Sequence, residues 1–228
     1  MIRWQAPGPY VVAFSTRDGG VSTGGHASLN LGSRFDDPAR IQENRRLACL
    51  ELGLDPDSLV ANRQRHTATV RRAVAGAEVE VADGLWSEDP GVPLLALAAD
   101  CVPIAVVTTT GRPALTTIHA GWRGLARGVV EAGVTALDGA ETAAVIGPAI
   151  GPCCYEVGAE VSEQFEQDLT SDGMLDLWSA AERALRRAGV SSIERLDLCT
   201  HCHPELFFSF RRTGIPHGAQ GVIGAVCG

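Results

Sequence analysis

Short apolar runs, broken by turn residues, set the rhythm of this chain. The run Tyr10–Phe14 predicts a first strand that passes into a glycine-rich loop at 16–22. Asp37-Pro38 predicts an N-cap followed by proline at the first helical position, with the helix running to Leu52 and stopped by Gly53. Segments 69–74 and 78–81 read as short strands. Three β-prone runs follow at Leu94–Ala98, 102–109 and 114–118, with Gly111 turning the chain between the last two. Residues 125–137 predict a helix whose Leu125, Val129, Ala132 and Ala136 share one face. Val145-Ile146 is a short strand opening into 147–154, a stretch too rich in glycine and proline for regular helix. Two amphipathic helices come next, one carrying Val157, Val161 and Phe165, the other Trp178, Ala181, Leu185 and Ala188. Strands at 193–198, 207–210 and 222–226 complete the chain. Strands and helices mix irregularly, without repeat, low-complexity tract or linker. That predicts one α/β-type domain over residues 1–228, of the α+β kind.

Composition narrows the function. The chain has 228 residues, 45% of them hydrophobic and 20% charged, which excludes an intrinsically disordered chain. A net charge of −8 argues against a general nucleic-acid binder. No apolar run is long enough to span a bilayer, and the N-terminus lacks the apolar core of a signal peptide, so a cytoplasmic protein without a membrane partner is expected. All 19 basic residues are arginines, so arginine carries whatever anion binding side chains perform. Seven cysteines without an export signal predict reduced thiols rather than a disulfide framework.

Three segments place a borderline or soft ligand at the end of a β-prone run, beside turn residues. They are Arg63-Gln64-Arg65-His66, Ala99-Asp100-Cys101-Val102-Pro103 and Ile118-His119-Ala120-Gly121-Trp122-Arg123-Gly124. Together His66, Cys101 and His119 would make a His2Cys set suited to zinc, with one coordination position left open. Nothing in their spacing forces them together, and a lone histidine or cysteine after a strand is more often a packed or solvated side chain. The same atoms allow Cys101 with His66 or His119 to act as a nucleophile–base pair, Asp100 orienting the imidazole. A competing cluster is Cys199-Thr200-His201-Cys202-His203. A zinc knuckle there needs a second pair of ligands, and Cys153-Cys154 supplies one only if adjacent cysteines can chelate together. For anions, Arg17 beside Asp18-Gly19-Gly20 and Arg123 near a helix start are candidates, and Arg211-Arg212 shares the ambiguity of any surface arginine in a turn.

Several segments, in order and over most of the chain, carry a resemblance. They are Thr16-Arg17-Asp18-Gly19-Gly20-Val21-Ser22, Ser28-Leu29-Asn30-Leu31-Gly32, Gln64-Arg65-His66, Ala99-Asp100-Cys101-Val102-Pro103, His119-Ala120-Gly121-Trp122-Arg123-Gly124, Gly151-Pro152-Cys153-Cys154-Tyr155-Glu156-Val157-Gly158 and Leu206-Phe207-Phe208-Ser209-Phe210-Arg211-Arg212. The sequence resembles the YfiH family, also known as laccase-like or multicopper polyphenol oxidase, which includes bacterial purine nucleoside phosphorylases and the mammalian laccase domain-containing protein. The resemblance implies mixed β-sheets covered by helices. It implies a zinc site at His66, Cys101 and His119, and it demotes the 199–203 cluster. It further implies phosphorolysis of purine nucleosides, methylthioadenosine among them, and deamination of adenosine.

On that reading Cys101, Asp100 and His119 are catalytic, with Asp100 as orienter or general base. Arg17, Asn30 and Arg123 bind nucleoside or phosphate. Copper is the alternative metal, although six histidines are few for several coppers. A Cys101-dependent hydrolase or peptidoglycan-editing factor is the alternative enzyme. One position departs from the family pattern: Ala219 stands where an arginine is expected, with His217 or an upstream arginine available to substitute.

Overall fold

The computed structural model describes every residue except 33, 34, 76, 78 and 79. The strands are β1 (Ile2–Trp4), β2 (Tyr10–Phe14), β3 (Val60–Ala61), β4 (Val70–Arg72), β5 (Gly84–Ser87), β6 (Leu94–Ala98) and β7 (Val102–Thr108), followed by β8 (Leu115–Ala120), β9 (Thr142–Ile146), β10 (Thr170–Ser171), β11 (Met174–Leu175), β12 (Ser192–Arg195) and β13 (Gln220–Val226). The α-helices are α1 (Pro38–Leu52), α2 (Trp122–Ala126), α3 (Val129–Thr135), α4 (Ala159–Ser162), α5 (Leu177–Arg187) and α6 (Phe210–Thr213). Two sheets dominate, in strand orders β1-β2-β13-β6-β3 and β12-β9-β7-β8-β5-β4, and both mix parallel and antiparallel pairs. None of these helices is long and apolar enough to cross a membrane.

The sheets pack face to face. Val12, Phe14, Leu94 and Val222 of the first meet Leu85, Ala105, Val107 and Leu115 of the second. Alternate residues face outward. Ile104, Val106 and Ile118 pack against Leu125, Val129 and Leu185 of the helices beyond the second sheet. Ala13, Leu95 and Ile223 pack against Ala48 and Leu52 of α1 beyond the first. The result is a helix–sheet–sheet–helix stack. It explains why the central strands read as unbroken apolar runs: each is buried on both faces.

Helix α1 begins and ends as its caps predict, with Asp37 accepting from the Ala39 N–H at 2.9 Å and Gly53 in the left-handed region at φ 73°. Elsewhere the structure corrects the sequence reading. The helix expected at 125–137 is two, because Gly128 turns left-handed at φ 84° between α2 and α3. The helix expected from Val157 starts only after Gly158, since the Val157 N–H is used on the Gly173 carbonyl at 2.9 Å. The strand expected at 207–210 is absent. The Gln220 side chain takes the place of a strand partner for Phe208, accepting from its N–H at 2.8 Å and donating to its carbonyl at 3.0 Å, and Ser209 then caps α6. Glu78 and Val79 of the expected 78–81 strand lie outside the described residues, and Val81 forms a single bridge to Arg63.

Candidate active site

The chain crosses from the first sheet to the second between β6 and β7, and that crossing carries Ala99-Asp100-Cys101 to the end of the stack. Next to it, β8 is paired with β7, with His119 opposite Pro103, which brings His119 beside Cys101, the residue just before β7. His66 comes from the loop between β3 and β4. Asp100 and His66 both take positive φ, 90° and 57°, a conformation few non-glycine residues adopt. The ligand atoms of His66, Cys101 and His119 lie within 4.8 Å of one another. Cys101 Sγ is 3.7 Å from His66 Nε2, and the two imidazole centroids are 4.9 Å apart.

Asp83, fully buried just before β5, organises this group. Its Oδ1 accepts from the His119 ring at Nδ1 (2.9 Å) and from the His66 N–H (2.9 Å). Its Oδ2 accepts from the N–H groups of Arg65 (3.1 Å) and Thr67 (2.7 Å) and from the Thr67 hydroxyl (2.7 Å). Burial alone would raise its pKa, but these donors, His119 first among them, hold the carboxyl well below the usual carboxylate range. With Nδ1 committed to Asp83, His119 presents Nε2 to Cys101 and His66. Burial also opposes charge on Cys101 and His119. Even so, the imidazoles draw the thiol below its ordinary value, and Cys101 and Asp83 draw His119 above its own.

Two imidazoles and a thiol that ionises readily form a borderline-soft donor set that fits zinc with a fourth position open. The space between them is kept by Gly121, where a Cβ would stand 2.6 Å from His66 Cδ2 and 2.9 Å from Cys101 Sγ.

The group opens into a cavity of about 580 Å³. Trp122, Tyr155 and Phe210 give it aromatic walls, while Arg123, Arg211 and His217 give it polar ones. The Arg123 guanidinium lies 4.1 Å over the Trp122 ring and makes no hydrogen bond among the described residues. Arg211 spends one N–H on the Glu156 carbonyl at 2.8 Å. Burial pushes the Tyr155 phenol up to about 12, keeping it a proton donor in hydrogen bonds. Ala219 is part of the wall, and Arg211 and His217 are the polar groups that share it.

Three expectations change. Asp100 lines the cavity, but its Oδ1 accepts from the Thr200 hydroxyl and its Oδ2 from the Arg211 N–H, each at 2.6 Å. It therefore braces the wall, and the imidazole is oriented by Asp83 instead. Arg17 is not among the lining residues. Its guanidinium donates to the carbonyls of Ala27 (2.9 and 2.8 Å) and Pro204 (2.8 Å), clamping two loops together. Asn30 is fully buried, donating to Asp36 at 2.7 Å and accepting from the N–H groups of Gly32 and Ala219. It reaches the cavity through Ala219, a lining residue whose N–H it holds. Asp83 and Tyr155 carry no sequence signal that points to a role in the site.

Stack and site together define a mixed α/β protein whose cavity floor is a three-donor, metal-competent centre. Residues 11–226 match the family model described as multi-copper polyphenol oxidoreductase laccase. A purine nucleoside phosphorylase of Pseudomonas aeruginosa is 37% identical over 225 residues, 92% of this chain and 91% of that one. The purine nucleoside phosphorylase YfiH of Escherichia coli is 35% identical over 224 residues, with the same coverage of 92% and 91%. The crystal structure of YlmD from Geobacillus stearothermophilus superposes with a TM-score of 0.91 at 32% identity, covering 99% of this chain and 94% of that one. A Neisseria meningitidis protein gives 0.90 at 31%, covering 99% and 97%. The chain belongs to this laccase-like YfiH family.

Proposed function

We propose that the protein is a cytoplasmic, single-domain purine nucleoside phosphorylase acting in the cavity above His66, Cys101 and His119, with those three residues holding zinc. One observation carries the reading: two imidazoles and a thiol converge on the floor of a cavity of about 580 Å³ whose wall presents two arginines. That volume lies within the range of small-molecule sites. The names of the relatives support the same reading.

In phosphorolysis a phosphate oxygen bonds to the anomeric carbon as the carbon–nitrogen glycosidic bond breaks. The purine nitrogen keeps the electron pair and gains the proton that phosphate loses. Arg123 and Arg211 hold the phosphate by charge-assisted hydrogen bonds, since both have donors to spare. The Trp122 and Tyr155 rings flank the purine, and the Tyr155 hydroxyl donates to an acceptor on the nucleoside. Asp83 keeps His119 in one tautomer, with Nε2 facing the site. Zinc held there would supply Lewis acidity. The same acidity suits adenosine deamination, in which water replaces the C6 amine and ammonia leaves. Adenosine, inosine, guanosine and methylthioadenosine are the substrates to assay. Zinc is favoured over copper because, among the described residues, only two histidines join the group.

Arg123→Ala and Arg211→Ala should each raise the apparent KM for phosphate about 10- to 150-fold, the equivalent of losing a charge-assisted contact of about 1.5–3 kcal/mol. Zinc content should stay the same. Arg17→Ala, which breaks a loop clamp, should lower thermal stability and leave that KM alone. Absence of phosphate-dependent base release from every purine nucleoside by zinc-replete protein would overturn the reading.

A second reading rests on the same geometry, because Cys101, His119 and Asp83 also stand in the order nucleophile, base and orienter. Cys101→Ala should remove both turnover and the metal of this centre. Activity that resists a chelator, together with a covalent substrate adduct on Cys101, would favour the hydrolase.

A further inference from the structure

A second group of soft donors lies behind the cavity wall, and the proposed phosphorolysis makes no use of it. The turn after β9 ends in Cys153-Cys154, closed by the Cys154 N–H on the Gly151 carbonyl at 3.0 Å. The segment after β12 runs beside it in a parallel bridge between Ala149 and Cys199, with the Thr200 N–H on the Ala149 carbonyl at 3.0 Å. This pairing draws the two cysteine pairs together although Cys154 and Cys199 are 45 positions apart in sequence. The four Sγ atoms of Cys153, Cys154, Cys199 and Cys202 lie within 4.8 Å of one another. Cys202 Sγ is 3.7 Å from that of Cys153 and 3.4 Å from that of Cys154.

Those separations are far beyond a disulfide bond of about 2.05 Å. They match the edges of a tetrahedron of sulfurs around a metal, which are about 3.8 Å long for zinc–sulfur bonds of about 2.3 Å. Two further details fit a ligand site. Cys199-Thr200-His201-Cys202 has the C-x2-C spacing of a zinc knuckle. Cys199 Sγ accepts from the Gly151 N–H at 3.3 Å and from the Cys202 N–H, the backbone bonds that orient and stabilise a ligating thiolate. The adjacency of Cys153 and Cys154 is no obstacle, since both reach the group.

We propose that Cys153, Cys154, Cys199 and Cys202 bind one structural zinc ion in a closed four-thiolate site, distinct from the centre at His66, Cys101 and His119. Four zinc–sulfur bonds form as the four thiols release their protons to solvent, and nothing is oxidised or reduced. The site ties two loops that build the cavity wall. Tyr155 follows Cys154 directly. Thr200 follows Cys199 and donates to Asp100, which in turn holds the Arg211 N–H. Arg212 adds hydrogen bonds to the carbonyls of Thr200 and His201 at 2.7 and 3.0 Å.

The test uses the full chain, stripped of metal under reducing conditions and titrated with zinc alone, then with cobalt. The wild type should take up two ions per chain. Cobalt should give the sulfur-to-metal charge-transfer bands of a tetrathiolate. His119→Ala should keep those bands, while Cys153→Ser, at an exposed position, should lose them and still load the other centre. Zinc should also protect Cys153 and Cys202 of the wild type from alkylation at least 10-fold, a readout that needs no variant to fold. Equal alkylation with and without zinc, uptake of cobalt without tetrathiolate bands, or a mass two hydrogens short that marks a disulfide would each overturn the site. None of these outcomes bears on phosphorolysis, which is assayed separately.

Discussion

Gly121→Ala should weaken metal binding at the His66, Cys101 and His119 centre and cut turnover with it, while the protein stays folded. Gly121 is the N-cap of α2, with φ −77° and ψ 169°, a backbone conformation open to any residue. The substitution therefore adds no backbone strain, and its cost is local. The new methyl would stand 2.6 Å from His66 Cδ2, 2.9 Å from Cys101 Sγ and 3.1 Å from His66 Nε2. These neighbours are not the free ends of flexible side chains; they are the ring and the sulfur of two proposed ligands. To make room, His66 and Cys101 must separate by several tenths of an ångström, more than the about 0.2 Å by which metal–ligand distances vary. Metal affinity should fall more than about 10-fold, and the stability of the metal-free protein should change by no more than the about 1–3 kcal/mol of an overpacked contact. Metal analysis and a thermal melt on the same sample check both parts. Two ions per chain in this variant, the second bound as tightly as in the wild type, would remove His66 and Cys101 from the ligand set.

The parts of the fold that were legible are those whose signal is local. Helix α1 could be read from its caps because Asp37, Pro38 and Gly53 each satisfy a backbone requirement at a helix end. The central strands could be read because burial on both faces leaves an unbroken apolar run. The break at Gly128 was hidden because the apolar positions keep helical spacing on both sides of it, while the change lies in the backbone of a single glycine. The segment 207–210 looks like a strand because its aromatics are buried, yet its hydrogen-bond partner is a side chain from β13.

The site divides the same way. His66, Cys101 and His119 each end a β-prone run beside turn residues, but only the family resemblance implies that they share a site. Arg17 and Asn30 stand in equally distinctive motifs, but those motifs serve loop closure: the Arg17 guanidinium and the Asn30 amide are spent on carbonyls, a carboxylate and N–H groups of neighbouring segments. The cysteine pairs 153–154 and 199–202 offer no spacing that reveals their meeting, which depends on the parallel bridge between Ala149 and Cys199. Asp83 was invisible for the opposite reason. An aspartate between an alanine and a glycine carries no pattern, and its partners at 65–67 and 119 are set by the folded loops.

The same network makes Asp83 the position where one substitution should cost most. Asp83→Ala leaves five donors without their acceptor: the N–H groups of Arg65, His66 and Thr67, the Thr67 hydroxyl and the His119 ring. Each buried donor left unsatisfied costs about 1–3 kcal/mol. If water reaches all but two, the loss is still about 2–6 kcal/mol, against a total stability of about 5–15 kcal/mol for an ordinary domain. Little folded Asp83→Ala protein should be recovered. Asp83→Asn keeps the volume, but its amide replaces one accepting oxygen with a donor that faces N–H groups, so it should fold with a lowered melting temperature. In that variant His119 loses its orienting carboxylate, and metal affinity should drop about 10- to 100-fold, the usual cost of removing such a partner. Asp83→Glu separates the two effects, because it restores the charge at the wrong reach: stability should recover in part while metal affinity stays low. Competition against a chromophoric chelator reads the affinity, and denaturant unfolding of the metal-free variants reads the stability. Wild-type affinity in Asp83→Asn would show that His119 holds its orientation without the carboxylate and would remove Asp83 from the working parts of the site.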